Sequence, residues 1–154
     1  MHIVIFLALA FVAGVLLHRH LTTRRSKAVE VAQPLSCYEA SVTAATFSTM
    51  VLQTSGETPV LVDFYAAWCP PCQYLGPVLA EMAKSYKGKF LLAKVDVDVE
   101  RSLSQEYNIK SMPTVLLFRD GRSVAQFVGA RQEHSVRFFL AQNGVLPPNE
   151  ESPT

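Results

Sequence analysis

The stretch Tyr65-Ala66-Ala67-Trp68-Cys69-Pro70-Pro71-Cys72-Gln73-Tyr74-Leu75 carries two of the three cysteines in this 154-residue chain. The residues leading into it, PVLVDFYAAW (59–68), are apolar except for Asp63 and rich in branched and aromatic side chains. That composition suits a strand buried on both faces. After it, Leu75, Val78, Leu79, Met82, Ala83 and Tyr86 recur at the i, i+3, i+4, i+7 spacing of an amphipathic helix, with Pro77 inside the stripe predicting a kink. A Cys-x-x-Cys between a strand and a helix puts its first sulfur at the helix N-terminus, where free backbone N–H groups and the dipole stabilise a thiolate. The thiolate is the attacking form, so this position lowers the thiol pKa and makes Cys69 the nucleophile. Cys72, one turn inside and expected to be less exposed, is the natural resolving thiol. Proline is tolerated in a first helical turn, so Pro70 and Pro71 stiffen the loop without breaking the helix.

Two other uses of the pair are weaker. Zinc needs four ligands, and the chain has no second cysteine pair, while His18 and His20 lie beside the apolar N-terminal run and His134 is isolated, so no metal is expected. A permanent bridge across so short a loop constrains little chain entropy. Reversible redox chemistry is the better reading. Composition narrows the rest: a net charge of +1 and the lack of any basic stripe give no reason to expect nucleic acid, and three cysteines are too few for a disulfide-stapled secreted scaffold.

Working outward, residues 3–17 read IVIFLALAFVAGVLL, followed by His18, Arg19, His20, Arg24, Arg25 and Lys27. A bilayer span takes roughly 17–25 apolar residues, so the run is short but long enough if Met1, His2 and His18 sit at the interfaces. The positive charges follow the run rather than precede it, which predicts an uncleaved single transmembrane helix (1–18) over a cleavable signal peptide, although the Ala13-Gly14 step keeps the latter open. The same charges place the bulk of the chain on the cytoplasmic side, with a periplasmic location as the alternative. Residues 19–36 form a basic linker, 37–145 the globular domain, and 146–154, PPNEESPT at its end, a disordered tail. Within the domain, Ala44, Phe47, Met50 and Val51 have helical spacing, FLLAKVDVDV (90–99) reads as a second buried strand, and a short helix covers Ser102 to Tyr107. TVLLF and SVAQFVG flank Asp120-Gly121, a hairpin signature. Val136, Phe139 and Leu140 mark a last helix closed by Asn143-Gly144. Strand–helix alternation followed by a hairpin predicts an α/β fold, a central mixed sheet with helices on both faces.

VDFYAAWCPPCQYLGPVL, AKVDVD, YNIKSMPTVLLFRDGR and FVGA occur in that order, and together they resemble the thioredoxin family over about Cys37 to Gly144. The resemblance implies the thioredoxin fold and residue roles at matching positions. Asp63 matches a buried acid that exchanges the proton of Cys72; its apolar neighbours independently predict a raised pKa. Lys94 matches a nearby lysine able to pair with Asp63, or else is a solvated strand-end charge. Pro113 matches a cis-proline, and Met112-Pro113 would offer backbone groups to an extended substrate. Gly129 matches a small residue that leaves a groove for that peptide, and Trp68 would shield the pair unless it is a core aromatic. The sequence departs from the family where Pro70 replaces the usual glycine, Gln73 the usual lysine, and Tyr65 a common tryptophan. Cys37 reads as a small, partly buried residue, with pairing to another chain as the alternative.

The implied activity is thiol–disulfide oxidoreduction without a bound cofactor: Cys69 attacks a disulfide in another protein, Cys72 resolves the mixed disulfide, and a separate reductase regenerates the dithiol. Two rivals stay open. One is an extracytoplasmic disulfide oxidase, isomerase or cytochrome-maturation reductant. The other is a redox-silent, membrane-tethered binding or chaperone module.

Overall fold

The computed structural model describes residues 38–149. The expected membrane span, the basic linker, Cys37 and residues 150–154 lie outside the described residues. Among the described residues, no helix is long and apolar enough to cross a membrane.

The strands are β1 (Glu39–Ser41), β2 (Val60–Tyr65), β3 (Leu91–Asp96), β4 (Thr114–Arg119) and β5 (Arg122–Val128). The helices are α1 (Ala44–Phe47), which widens into a π-turn over Ser48–Gln53, α2 (Pro70–Ser85), α3 (Arg101–Glu106) and α4 (Glu133–Gln142). The sheet order is β1-β3-β2-β4-β5. β3 pairs in parallel with β1 and β2, while β4 runs antiparallel to β2 and β5. The expected mixed sheet is therefore present. β1 was not anticipated: three residues without apolar alternation carry no strand signal, and pairing to β3 alone makes them one.

Period-two alternation splits the core in two. Leu61 on β2, Leu92 on β3 and Val115 on β4 face a cluster with Leu75, Leu79 and Met82 of α2 and Val136 and Leu140 of α4. Val62, Phe64, Val95, Leu116 and Phe118 face the other way, packing with Phe47, Val51 and Leu103. Asp63 lies between Val62 and Phe64 on β2 and so shares the α2 face with Leu61. α2 runs unbroken through Pro77, whose ring has no N–H to offer the Gln73 carbonyl one turn earlier. At the β4–β5 hairpin, Asp120 and Gly121 both have positive φ (50° and 73°), the conformation of a two-residue type I′ loop. α4 ends at Asn143 with Gly144 left-handed at φ 72°, as the Asn-Gly pair predicted.

Candidate active site

β2 ends at Tyr65, and within four residues the chain turns into α2, with Cys69 as its N-cap in an extended conformation and Pro70 and Pro71 in the first turn. Cys69 and Cys72 are joined in a disulfide with Cα atoms 5.3 Å apart. The Cys72 backbone N–H donates to Cys69 Sγ (3.3 Å), the capping bond expected of a helix start. Exposure does not separate the two sulfurs as the sequence suggested: Cys69 is 4% and Cys72 5% exposed. The distinction between them lies in position. Cys69 sits at the helix mouth. Cys72 instead lines a cleft of about 340 Å³ together with Tyr65, Gln73, Gly76, Ala80 and Lys94.

Ala66 and the two cysteines form a small buried cluster, with Tyr65, Val97 and Met112 packed against it. Met112-Pro113 is a cis peptide. The Pro113 carbonyl accepts from the Gly129 N–H at 2.8 Å, which ties this loop to the end of β5. Gly129 has φ +85°, and a Cβ there would meet nothing within 4 Å; glycine is required by backbone conformation rather than by a shortage of room. Trp68 is not a core aromatic: it is 64% exposed, and its indole Nε1–H donates to Asp98 Oδ2 at 2.7 Å. Asp98 in turn donates its backbone N–H to the Asp96 carboxylate. The Gln73 side chain donates to the Ala67 carbonyl (2.8 Å), a neutral brace across the cysteine loop where a lysine would place a charge.

Asp63 is 1% exposed, and its Oδ1 has no hydrogen-bond partner. Burial without a donor disfavours the carboxylate, and its pKa is pushed up to about 7 from 3.8, opposed by the Lys94 ammonium and reinforced by Glu39. Asp63 and Lys94 are in register across β2 and β3. Lys94 nevertheless makes its ion pair with Glu39 on β1 (Nζ–Oε1 3.4 Å) and stands 5.1 Å from the centre of the Tyr65 ring. The expected pairing with Asp63 is thus replaced by a through-space influence. The reason is geometric: β3 lies between β1 and β2, so its lysine has an acid on either side and reaches the better-solvated one. Nor is Lys94 at a strand end; it lies inside β3 and is about a quarter exposed. Glu39 was missed because β1 was missed. Asp98 lies within the VDVD sequence, but nothing in its spacing assigns it to Trp68.

Among known proteins, the family model described as thioredoxin matches residues 39–142. The chain is 47% identical over 87 residues to thioredoxin C-2 of Corynebacterium nephridii, covering 56% of this chain and 81% of that one. It is 40% identical over 103 residues to thioredoxin of Pseudomonas aeruginosa, covering 67% and 94% respectively. It is 45% identical over 86 residues to mouse mitochondrial thioredoxin, covering 56% of this chain and about half (52%) of that relative.

Proposed function

The chain belongs to the thioredoxin family and is a thiol–disulfide oxidoreductase, and from that premise we propose that it works as a reductant of protein disulfides at a membrane surface. Proteins of this family act on disulfide substrates and are returned to the dithiol by a reductase. The observation that carries the reading is the Cys69–Cys72 disulfide at the mouth of α2, with Asp63 buried on the face of the sheet that α2 covers.

In the reduced chain the Cys69 thiolate attacks one sulfur of a substrate disulfide, and the other sulfur leaves as a thiolate and takes a proton. Cys72 then loses its proton to the Asp63 carboxylate and attacks Cys69 Sγ. The second substrate sulfur departs, and two electrons have passed from the cysteine pair to the substrate. An acid titrating near pH 7 is suited to this step, because it both accepts and returns a proton at neutral pH. Lys94 tunes that acid. Trp68, Met112, Pro113 and Gly129 form the substrate-facing rim. With the Pro113 carbonyl taken by Gly129 and no N–H on proline, the backbone groups open to an extended peptide are those of Met112.

The domain of residues 37–145 is held by the anchor of residues 1–18 through the basic linker 19–36 and faces the cytoplasm. The lysine and arginine excess after the apolar run supports this orientation. An insulin-reduction assay tests the activity: the native chain reduces insulin, Cys69→Ser abolishes turnover, and Cys72→Ser accumulates a covalent adduct with substrate. A native chain that fails to reduce insulin, or a cellular role left intact by Cys69→Ser, would overturn the proposal and favour a redox-silent binding module.

A further inference from the structure

Three side chains lie in a row on the α2 face of the sheet. The register pairs Glu39 with Leu92, Ser41 with Lys94 and Lys94 with Asp63, so Glu39, Lys94 and Asp63 all project to the same side from β1, β3 and β2. Parallel neighbours in register share a face, which makes this placement a property of the backbone rather than of side-chain rotamers. One cation therefore stands between two acids. Its ion pair is with Glu39, and the Tyr65 ring flanks it.

We propose that Glu39 is a positioning residue for disulfide exchange: its carboxylate holds the Lys94 ammonium on the β1 side, so the Asp63 carboxyl keeps the proton affinity that its exchange with Cys72 requires. This rests on the reading of Asp63 as the proton acceptor of Cys72. The charged and titratable groups around Asp63 are few. β3 contributes Lys94 and, two residues on, Asp96, whose carboxylate is occupied by the Asp98 N–H. β1 contributes Glu39 and β2 itself contributes Tyr65, while Cys72 of α2 is held in the disulfide and carries no titrating thiol in the oxidised chain. β4 places only Val115 opposite Asp63. Lys94 is thus the one cation in this set, and Glu39 decides which acid it serves.

Loss of the Glu39 charge releases the ammonium toward Asp63 across the paired strands. An opposite charge within about 4–6 Å typically lowers a carboxyl pKa by about 1–3 units. Glu39→Gln preserves the shape of a residue at the sheet edge and removes only the charge. The experiment is an NMR titration of the labelled Asp63 carboxyl in the oxidised whole chain. Glu39→Gln is expected to lower the midpoint by about one pH unit or more, and Lys94→Met to raise it. In the Lys94→Met background the same glutamate change is expected to do much less.

An unchanged midpoint in Glu39→Gln would overturn the proposal. So would an equal shift with and without Lys94, because Glu39 would then act by direct repulsion alone. The reaction is read separately, as the rate at which Cys72 resolves a preformed mixed disulfide. Its acidic limb should move to lower pH in Glu39→Gln, in step with the titration, and a limb that stays put would also overturn the proposal. The underlying reading fails differently: resolution undiminished in Asp63→Asn would remove the relay itself, whatever Glu39 does to the carboxyl.

Discussion

Burial of Asp63 on the apolar α2 face couples one proton to the folding equilibrium. The folded carboxyl titrates at about 7 and the ordinary value is 3.8, so between those values the native state holds more protons than the unfolded chain. Stability from this group therefore falls as pH rises from about 4 through 7, and the penalty is complete above the folded pKa. A difference of about three units corresponds to at most about 4 kcal/mol. Asp63→Asn should then be more stable than the native chain at pH 8–9 by up to that amount, and about equal to it near pH 4. Denaturant unfolding of the oxidised protein at the two pH values checks this. A gain that did not depend on pH would mean that packing, not charge, sets the effect. Asp63 was legible in the sequence because one acid interrupts an apolar strand. The partner of Lys94 was not, because no local pattern announces that two strands distant in sequence will flank β3.

At the scale of elements, α2 and the hairpin show why some features were readable. The α2 stripe has helical period, and Leu75, Leu79 and Met82 are buried as that period requires. Leu79→Ala should cost about 2–5 kcal/mol, measured by urea unfolding, since Leu79 is fully buried between α2 and the sheet. The hairpin was readable because Asp-Gly suits a turn with two left-handed residues. A Cβ at Gly121 would approach the Leu52 carbonyl oxygen no closer than 3.7 Å, an ordinary contact, so strain at φ +73° is the whole cost. Gly121→Ala should destabilise by about 1 kcal/mol in the same assay. β1 and the π-turn after α1 carry no such signal. Glu39-Ala40-Ser41 becomes a strand only because β3 offers an unpaired edge, and tertiary pairing of that kind leaves no mark on a three-residue window.

For the molecule as a whole, the direction of electron flow and the compartment are the quantities to measure. Redox titration of the Cys69–Cys72 pair should give a potential nearer about −270 mV than about −120 mV, values typical of a thiol reductant and a strong disulfide oxidant. A phosphatase reporter that needs the periplasm should be silent when fused after Thr154; an active fusion would reverse the proposed orientation. The two prolines bear on the first of these quantities. Of the two amides that ordinarily serve an N-cap atom, Pro71 has no hydrogen to give, and only Cys72 does. The entrance to α2 is thus a half-equipped anion trap, and a sulfur with one servant amide gives up its electrons more readily than one with two. Pro71→Ala would supply the missing hydrogen, and reduced Cys69 should then be alkylated faster in mildly acidic buffer while the pair becomes a poorer electron donor.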